Sequence, residues 1–368
     1  ATGADAAGSW QRIEHEPDAT TLRKRGSIVV MQRMVRLGVF LLLSAFLALP
    51  ALPTLAAQQP ATPEAEEGPA TPVPPPTPQL PVTVTDVQGN TVTVEDVSRI
   101  VPLSGDIAEI IWTLGLGANI VGVDVSAVYP AELQQLPKIG FERQLSAEGI
   151  LALNPTVVIG KEQAGPAAAL DQVRAAGVPV VILAEPQTLD APAEKIRAVA
   201  EALGVADAGE ELANRVQSEI DAARELAAQA TSKPRVLFLY VRGGGTQLIG
   251  GAGTVSAAMI EGAGAIDAGS ETGLQGFVPV TAEAIAAAQP DVIIVPGSGV
   301  GSLGGMQGLL EIPGVAQTPA GEQGRILVYD DLEFLGMTPR TGKMLQELVE
   351  ALHPELVDAT PVASPEAA

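Results

Sequence analysis

One segment of this chain occurs twice. Leu145-Ser146-Ala147-Glu148-Gly149-Ile150-Leu151-Ala152-Leu153-Asn154-Pro155-Thr156-Val157-Val158-Ile159 returns, with conservative changes, as Val280-Thr281-Ala282-Glu283-Ala284-Ile285-Ala286-Ala287-Ala288-Gln289-Pro290-Asp291-Val292-Ile293-Ile294. Both copies read as a hydroxyl N-cap, a short acid-bearing helix, an Asn-Pro or Gln-Pro stop and a buried parallel strand. A chain that repeats such a unit is expected to form two similar α/β lobes with a cleft between them. Glu148 and Glu283 then occupy equivalent places, one per lobe.

The 368 residues are enough for two domains. They are 46% hydrophobic but only 3% aromatic, so the core must be built from Val, Ile, Leu and Ala. The absence of cysteine excludes disulfides, thiolate metal sites, cysteine nucleophiles and a lipid-modified N-terminal cysteine. A formal charge of −22 argues against nucleic acid as a partner, since phosphate binding needs clustered Lys and Arg. Solubility outside the cytoplasm accounts for that acidity without any specific acidic site.

Arg33, Arg36 and the apolar run Leu37 to Leu49 have the layout of an export signal, with small residues at Thr54-Leu55-Ala56-Ala57 for cleavage. The run is short for a membrane-spanning helix. Left uncut, it would tether the protein to a membrane. Residues 1–30 read as an upstream extension, with Met31 or Met34 as the expected start, and 31–57 as the signal. Residues 58–80, densest in proline at Pro72-Val73-Pro74-Pro75-Pro76, are an expected extended linker. The expected N-terminal lobe is 81–190, the connecting helical segment 191–232 and the C-terminal lobe 233–353, with 354–368 a disordered tail.

Within the lobes, Val82–Asp86 and Thr91–Glu95 alternate around Gln88-Gly89-Asn90 as a hairpin. Arg99–Leu103, Ile120–Asp124, Val157–Ile159 and Val178–Leu183 are expected strands; helices follow Ser104, through Leu114, and occupy Pro166–Ala176. Strand and helix alternation implies a parallel sheet covered on both faces. Val205 to Ala230 should contain one long helix joining the lobes. Arg235–Tyr240 opens the second lobe, followed by a glycine-rich loop, a helix over Thr254–Gly262, the repeat unit, a strand over Ile326–Asp330 and a closing helix over Gly342–Leu352.

His15 and His353 are the only histidines, and neither is placed in the expected cleft, so Ser/His/Asp and Cys/His catalysis fail for want of residues. Gly243-Gly244-Gly245 follows a strand but lacks the Lys-Ser/Thr of a phosphate-binding loop, which leaves a turn at the cleft mouth. Arg242, Arg143 and Arg340 lie on segments expected to reach the cleft, where three guanidiniums would suit an anionic ligand. Each could equally be a surface or lobe-bridging residue. Tyr240 ends a strand and could face the cleft or lie half-buried in the sheet. Phe141 offers an apolar face to a flat ligand. Glu148 and Glu283 are either first-turn acids favoured by the helix dipole or, given their recurrence, a matched pair that grips basic residues of a two-fold partner.

Phe141, Arg143, Glu148 and Arg340 lie in segments that carry a resemblance. Ile100-Val101-Pro102-Leu103-Ser104-Gly105-Asp106-Ile107-Ala108-Glu109, Leu136-Pro137-Lys138-Ile139-Gly140-Phe141-Glu142-Arg143-Gln144-Leu145-Ser146-Ala147-Glu148-Gly149 and Gly336-Met337-Thr338-Pro339-Arg340-Thr341 resemble ABC-importer substrate-binding proteins of the hemin, vitamin B12 and siderophore class. The likeness is nearest to hemin binders and spans roughly Ser98 to Pro354. It implies an α/β fold of two Rossmann-like lobes joined by a single long helix, the helical-backbone type of periplasmic binding protein. Together with the reading of the residues it makes Ser104, Phe141, Arg143, Tyr240, Arg242 and Arg340 the expected ligand-binding residues, and Arg143 matches a residue near the heme propionates. Glu148 and Glu283 match the acids that pair with arginines of the permease dimer. Phe141 departs from the family pattern, since many hemin binders carry there a tyrosine that ligates iron. Hemin binding then needs Tyr240 or another ligand as the metal contact, or rests on stacking and propionate pairing alone, and a metal-free or differently ligated tetrapyrrole stays open.

The resulting expectation is an exported, monomeric, non-enzymatic protein that captures hemin as cargo and delivers it to an ABC permease. Corrinoid or ferric-siderophore binding, a scavenger or sensor without a permease, and a tetrapyrrole chelatase are the rival readings.

Overall fold

The computed structural model describes residues 76–358. The export signal, most of the linker and the end of the tail lie outside the described residues. The chain enters as a hairpin of Val82–Thr85 (β1) and Thr91–Val94 (β2), its threonines outward and Val84 and Val92 packed on the core. Buried Asp86 shapes the turn by accepting from the Asn90 backbone N–H at 2.7 Å and from Asn90 Nδ2 at 3.0 Å.

The first lobe continues through Ile100–Pro102 (β3), Gly105–Ile111 (α1), Ala147–Leu151 (α2), Val157–Lys161 (β4), Ala167–Ala175 (α3) and Val180–Leu183 (β5). Its three strands are parallel in the order β3-β4-β5. Ile120–Asp124 is not the expected strand. Val121 donates to Ile100 O, but Val123 donates to Pro137 O and receives from Ile139, so the segment changes partner within two residues and no ladder forms. The first α-helix also stops short of Leu114: it passes at Trp112 into a wider turn, in which Gly115 takes φ 85°.

Ala191–Ala202 (α4) turns into Ala206–Ala227 (α5), a helix of 22 residues and about 33 Å. Gly209 is where the two helices touch most closely, since a Cβ there would lie 2.2 Å from Ala200 Cβ. Replacing Gly209 by alanine is expected to cost about 1–3 kcal/mol of stability through overpacking, although alanine is the better helix former. A rise in the urea midpoint would contradict this account of the crossing.

The second lobe comprises Arg235–Arg242 (β6), Thr246–Gly250 (β7), Val255–Gly262 (α6), Ile266–Asp267 (β8), Ala268–Glu271 (α7), Phe277–Pro279 (β9), Ala282–Ala288 (α8), Val292–Pro296 (β10), Gly297–Ser302 (α9), Met306–Leu310 (α10), Pro319–Gln323 (α11), Ile326–Tyr329 (β11), Asp331–Leu335 (α12) and Thr341–Leu352 (α13). Its six-stranded sheet runs β11-β10-β6-β7-β9, with β8 beside β6. It is mixed rather than all parallel. The triple glycine reverses the chain so tightly that the expected loop returns as the antiparallel strand β7, and β9 adds antiparallel to that. Pro354–Asp358 (α14), expected to be part of the unstructured tail, is a further short helix; Pro354 suits its first turn and Leu356 packs on the core.

One apolar core runs through both lobes. Ile107, Ile111 and Ile159 of the first join Val216 and Ile220 of α5, then Phe238, Ile294 and Leu345 of the second. Alternate strand residues face separate outer cores, Val158 with Ile150 and Leu170 in one lobe, Ile293 and Val295 with Ile285 in the other. The joint is thus part of the shared interior, and wide hinge opening would expose buried Val, Ile and Leu at about 1.5–3 kcal/mol each.

Candidate functional site

The two copies of the repeat fold alike. Ser146 Oγ accepts from the Gly149 N–H and Thr281 Oγ1 from the Ala284 N–H, each capping a short helix with an exposed acid in its first turn, Glu148 or Glu283. At the far ends Asn154 and Gln289 take φ 46° and 40°, left-handed turns that release the chain into β4 and β10. The echo goes further than the matched segments. Arg99 donates to Leu153 O and Asn154 O, and Arg235 donates twice to Ala288 O, so each lobe sets a guanidinium on the negative end of its repeat helix. An arginine opening the first strand of each half was the available signal, and the sequence reading missed it.

In the second lobe, Tyr240 sits half-buried near the carboxyl end of β6, between Phe277 (centroids 6.0 Å apart) and Arg242, whose Cζ is 4.6 Å from the ring centroid. Arg242 pairs with Asp331. Phe277, 43% exposed, presents the outer face of this wall. Behind it, Phe238 stacks on Phe334 at 5.5 Å and Phe334 on Tyr329 at 5.6 Å. Burial, with Glu347 adding to it, pushes the Tyr329 phenol up to about 12, so that hydroxyl stays neutral.

In the first lobe, Phe141 is 47% exposed. Arg143 donates to Gln163 Oε1, and Gln163 in turn donates to Glu185. Arg143 has no carboxylate at ion-pair distance among the described residues. The other two arginines do. Arg340 forks onto Glu109 Oε1 and Oε2 at 3.0 and 2.9 Å, pairs with Glu333 at 2.8 Å and lies 3.9 Å over the Tyr129 ring. It therefore clamps the second lobe to α1 of the first, and the three guanidiniums do not form one free cluster. Ser104 lies deeper than these side chains. At 2% exposure its hydroxyl is sealed at the start of α1, makes no cap bond and has no hydrogen-bond partner.

A buried ionic network, unforeseen from sequence, runs along the same seam. Asp106 in α1 meets Lys195 of α4 at 2.5 Å and Lys161, the last residue of β4, at 3.4 Å. Lys195 also donates to Gly336 O at 2.7 Å, a second bond between lobes. Lys161 continues to Glu185 at 2.5 Å and Glu142 at 3.9 Å. Burial alone would raise the Asp106 carboxyl; the two ammoniums outweigh it and hold the group well below the usual carboxylate range. Burial, with repulsion from Lys161 adding to it, depresses Lys195 more than Asp106 restores it. Glu142 is the poorly served member, its Oε1 buried without a partner, and burial pushes it up to about 7. A lysine at the end of a fully buried strand was the one legible sign of this network.

Among the described residues no three His, Cys, Asp or Glu side chains converge to hold a metal ion. His353 is buried with Nε2 2.9 Å from Ala263 O. A hollow of about 830 Å³ opens where the end of α5 meets α6, lined by Thr188, Asp190, Arg224, Thr254 and Glu261. None of the expected ligand residues lines it, and it contains no buried unpaired polar group, so size alone does not make it the site.

Residues 100–332 match the family model described as periplasmic binding protein. The periplasmic heme-binding protein RhuT from Roseiflexus sp. RS-1, in apo form, is 53% identical with a TM-score of 0.69, over 71% of this chain and 100% of that one. The heme binding protein HmuT is 39% identical with a TM-score of 0.71, over 75% of this chain and 91% of that one. The uncharacterized ABC transporter substrate-binding lipoprotein YvrC of Bacillus subtilis (strain 168) is 25% identical over 279 residues, 75% of this chain and 86% of the relative. The chain, with its two α/β lobes on a helical joint, belongs to the periplasmic binding protein family.

Proposed function

We propose that this protein is the substrate-binding component of an ABC importer and that its cargo is heme. The observation that carries the ligand is the wall at the end of β6, where a phenol is flanked by a guanidinium and an exposed phenyl ring. Heme asks for those three properties: apolar surface for its faces, a cation for its carboxylates and an oxygen donor for ferric iron. Phe277 and Phe141 supply apolar faces, Tyr240 the donor and Arg143 the uncommitted cation for a propionate. Phe141 cannot ligate iron, so the metal contact falls to Tyr240. Two heme-binding relatives of high coverage support the assignment.

The protein captures its ligand without transforming it. The loaded monomer docks on a two-fold permease through Glu148 and Glu283, one acid from each lobe. It is exported and works outside the cytoplasm, and these 368 residues offer no cysteine for lipid modification. No helix among the described residues is long and apolar enough to cross a membrane.

Titration of the purified protein with hemin, followed by absorption, is expected to saturate. Tyr240→Phe should remove the tyrosinate-to-iron charge-transfer band. Arg143→Ala should weaken binding by about tenfold to a hundredfold, the range for losing a charge-assisted hydrogen bond. Absence of any saturable change would overturn the heme assignment and point to corrinoids or siderophores, to be titrated in the same way.

A further inference from the structure

The ligand reading makes no use of Asp331, yet three elements converge on it. Asp331 opens α12 immediately after β11. Its neighbour Asp330 is spent as the helix cap, accepting from the Leu332 and Glu333 N–H groups. Asp331 is left to accept from Arg242 Nη2 through Oδ1 and from Ser298 Oγ through Oδ2, the latter at 2.8 Å. Arg242 Nη1 donates to Val241 O at 3.0 Å, which fixes the other end of the guanidinium.

Ser298 stands on a firm base. A Cβ at Gly299 would lie 2.6 Å from Val241 Cγ2 and 2.7 Å from Val241 O, so α9 packs directly on the end of β6. The turn that follows β6 is tied to the same helix, with Gly243 N–H donating to Ser302 Oγ at 2.7 Å and Ser302 Oγ donating to Gly299 O at 2.6 Å. The Arg242 side chain is thereby held in one place, its Cζ 4.6 Å from the Tyr240 ring centroid.

We infer that Asp331 and Ser298 are positioning residues for the ligand site, holding Arg242 over the face of Tyr240 so that phenol and cation meet the ligand as a preset pair. The inference rests on the heme reading above. It can be separated from a simple charge effect by sign. Hemin carries two carboxylates, so removing an acid beside the site would tighten binding if Asp331 acted only through its charge. If Asp331 acts by placing Arg242, its removal loosens binding.

The test is hemin titration of the full chain with wild type, Asp331→Ala, Asp331→Glu, Ser298→Ala and Tyr240→Phe, with thermal unfolding of each apo protein run alongside. Asp331→Ala is expected to raise Kd by roughly tenfold and to broaden or shift the charge-transfer band. Asp331→Glu should recover part of both, and Ser298→Ala should move both in the same direction by less. In a Tyr240→Phe background, where the ring face stays and only the phenol oxygen is gone, the Asp331→Ala effect on the charge-transfer band should vanish and its effect on Kd should shrink. Unchanged or tighter binding by a folded Asp331→Ala protein overturns the inference, as does a loosening that is equally large in the Tyr240→Phe background. Should Asp331→Ala fold poorly, Ser298→Ala decides by the same criteria. If wild type itself fails to bind hemin, it is the heme reading that falls.

Discussion

Lysine at both Glu148 and Glu283 is expected to abolish delivery of ligand to the membrane transporter while leaving hemin affinity within about twofold of wild type. Both acids are exposed, each in the first turn of a capped helix whose exposed neighbours are small: Ser146 and Gly149 in one lobe, Thr281 and Ala282 in the other. Reversing one charge turns an attraction into a repulsion, a swing of several kcal/mol at an interface from which water is excluded. Two reversals on a two-fold partner compound, so permease capture should fall by more than a hundredfold. Single reversals should give intermediate losses and a shallower salt dependence than wild type, since one repulsion offsets the remaining attraction. Transport into vesicles carrying the permease measures delivery; absorption titration measures ligand affinity. Full delivery by the double variant would remove Glu148 and Glu283 from the docking surface.

Much of this architecture could be read from one repeat. A hydroxyl N-cap, an acid, a stop at Asn154-Pro155 or Gln289-Pro290 and a run of β-branched residues are local signals, and locally determined structure followed from them in both lobes. Signals failed where the partner is distant in sequence. Ile120–Asp124 has strand composition, but whether it forms a ladder depends on Pro137 and Ile139 competing with β3. Thr246–Gly250 lacks strand alternation, and the glycines before it read as the start of a loop. Ser104, Arg242 and Arg340 show the same limit within the site. Their residue types announce polar chemistry, whereas Asp331, Glu109 and Glu333, which engage the two arginines, come from other parts of the fold. Arg340 took the lobe-bridging place that the sequence left open, and only Arg143 has no carboxylate partner among the described residues.

The same contrast makes Glu142 a pH-sensitive point of the first lobe. Its side chain is 13% exposed and one oxygen is buried with no partner. Burial raises it, Lys161 opposes this from 3.9 Å, and Asp106, Glu185 and Asp124 add to the rise, bringing it from 4.5 to about 7. Lys161 cannot restore the ordinary value because Asp106 at 3.4 Å and Glu185 at 2.5 Å already engage it. Below pH 4.5 Glu142 is protonated in folded and unfolded chains alike, and its ionisation costs folding nothing. Between there and about pH 7 the unfolded chain gives up the proton while the folded chain keeps it, so stability falls as pH rises. Above that window the loss is complete, at roughly 3 kcal/mol for a shift of this size. Glu142→Gln, neutral at every pH, should therefore match wild type near pH 4.5 and exceed it by up to roughly 3 kcal/mol at pH 8, as read from paired urea unfolding curves. The ligand adds a second consequence. Glu142 directly precedes Arg143, so an anionic ligand held there would oppose ionisation of Glu142 further and draw a proton on binding near neutral pH. Calorimetry of hemin binding in buffers of different ionisation enthalpy should show fractional proton uptake by wild type at pH 7–8 and markedly less by Glu142→Gln. A variant whose stability tracked wild type across this range would show that Glu142 ionises as readily in the folded protein as in water.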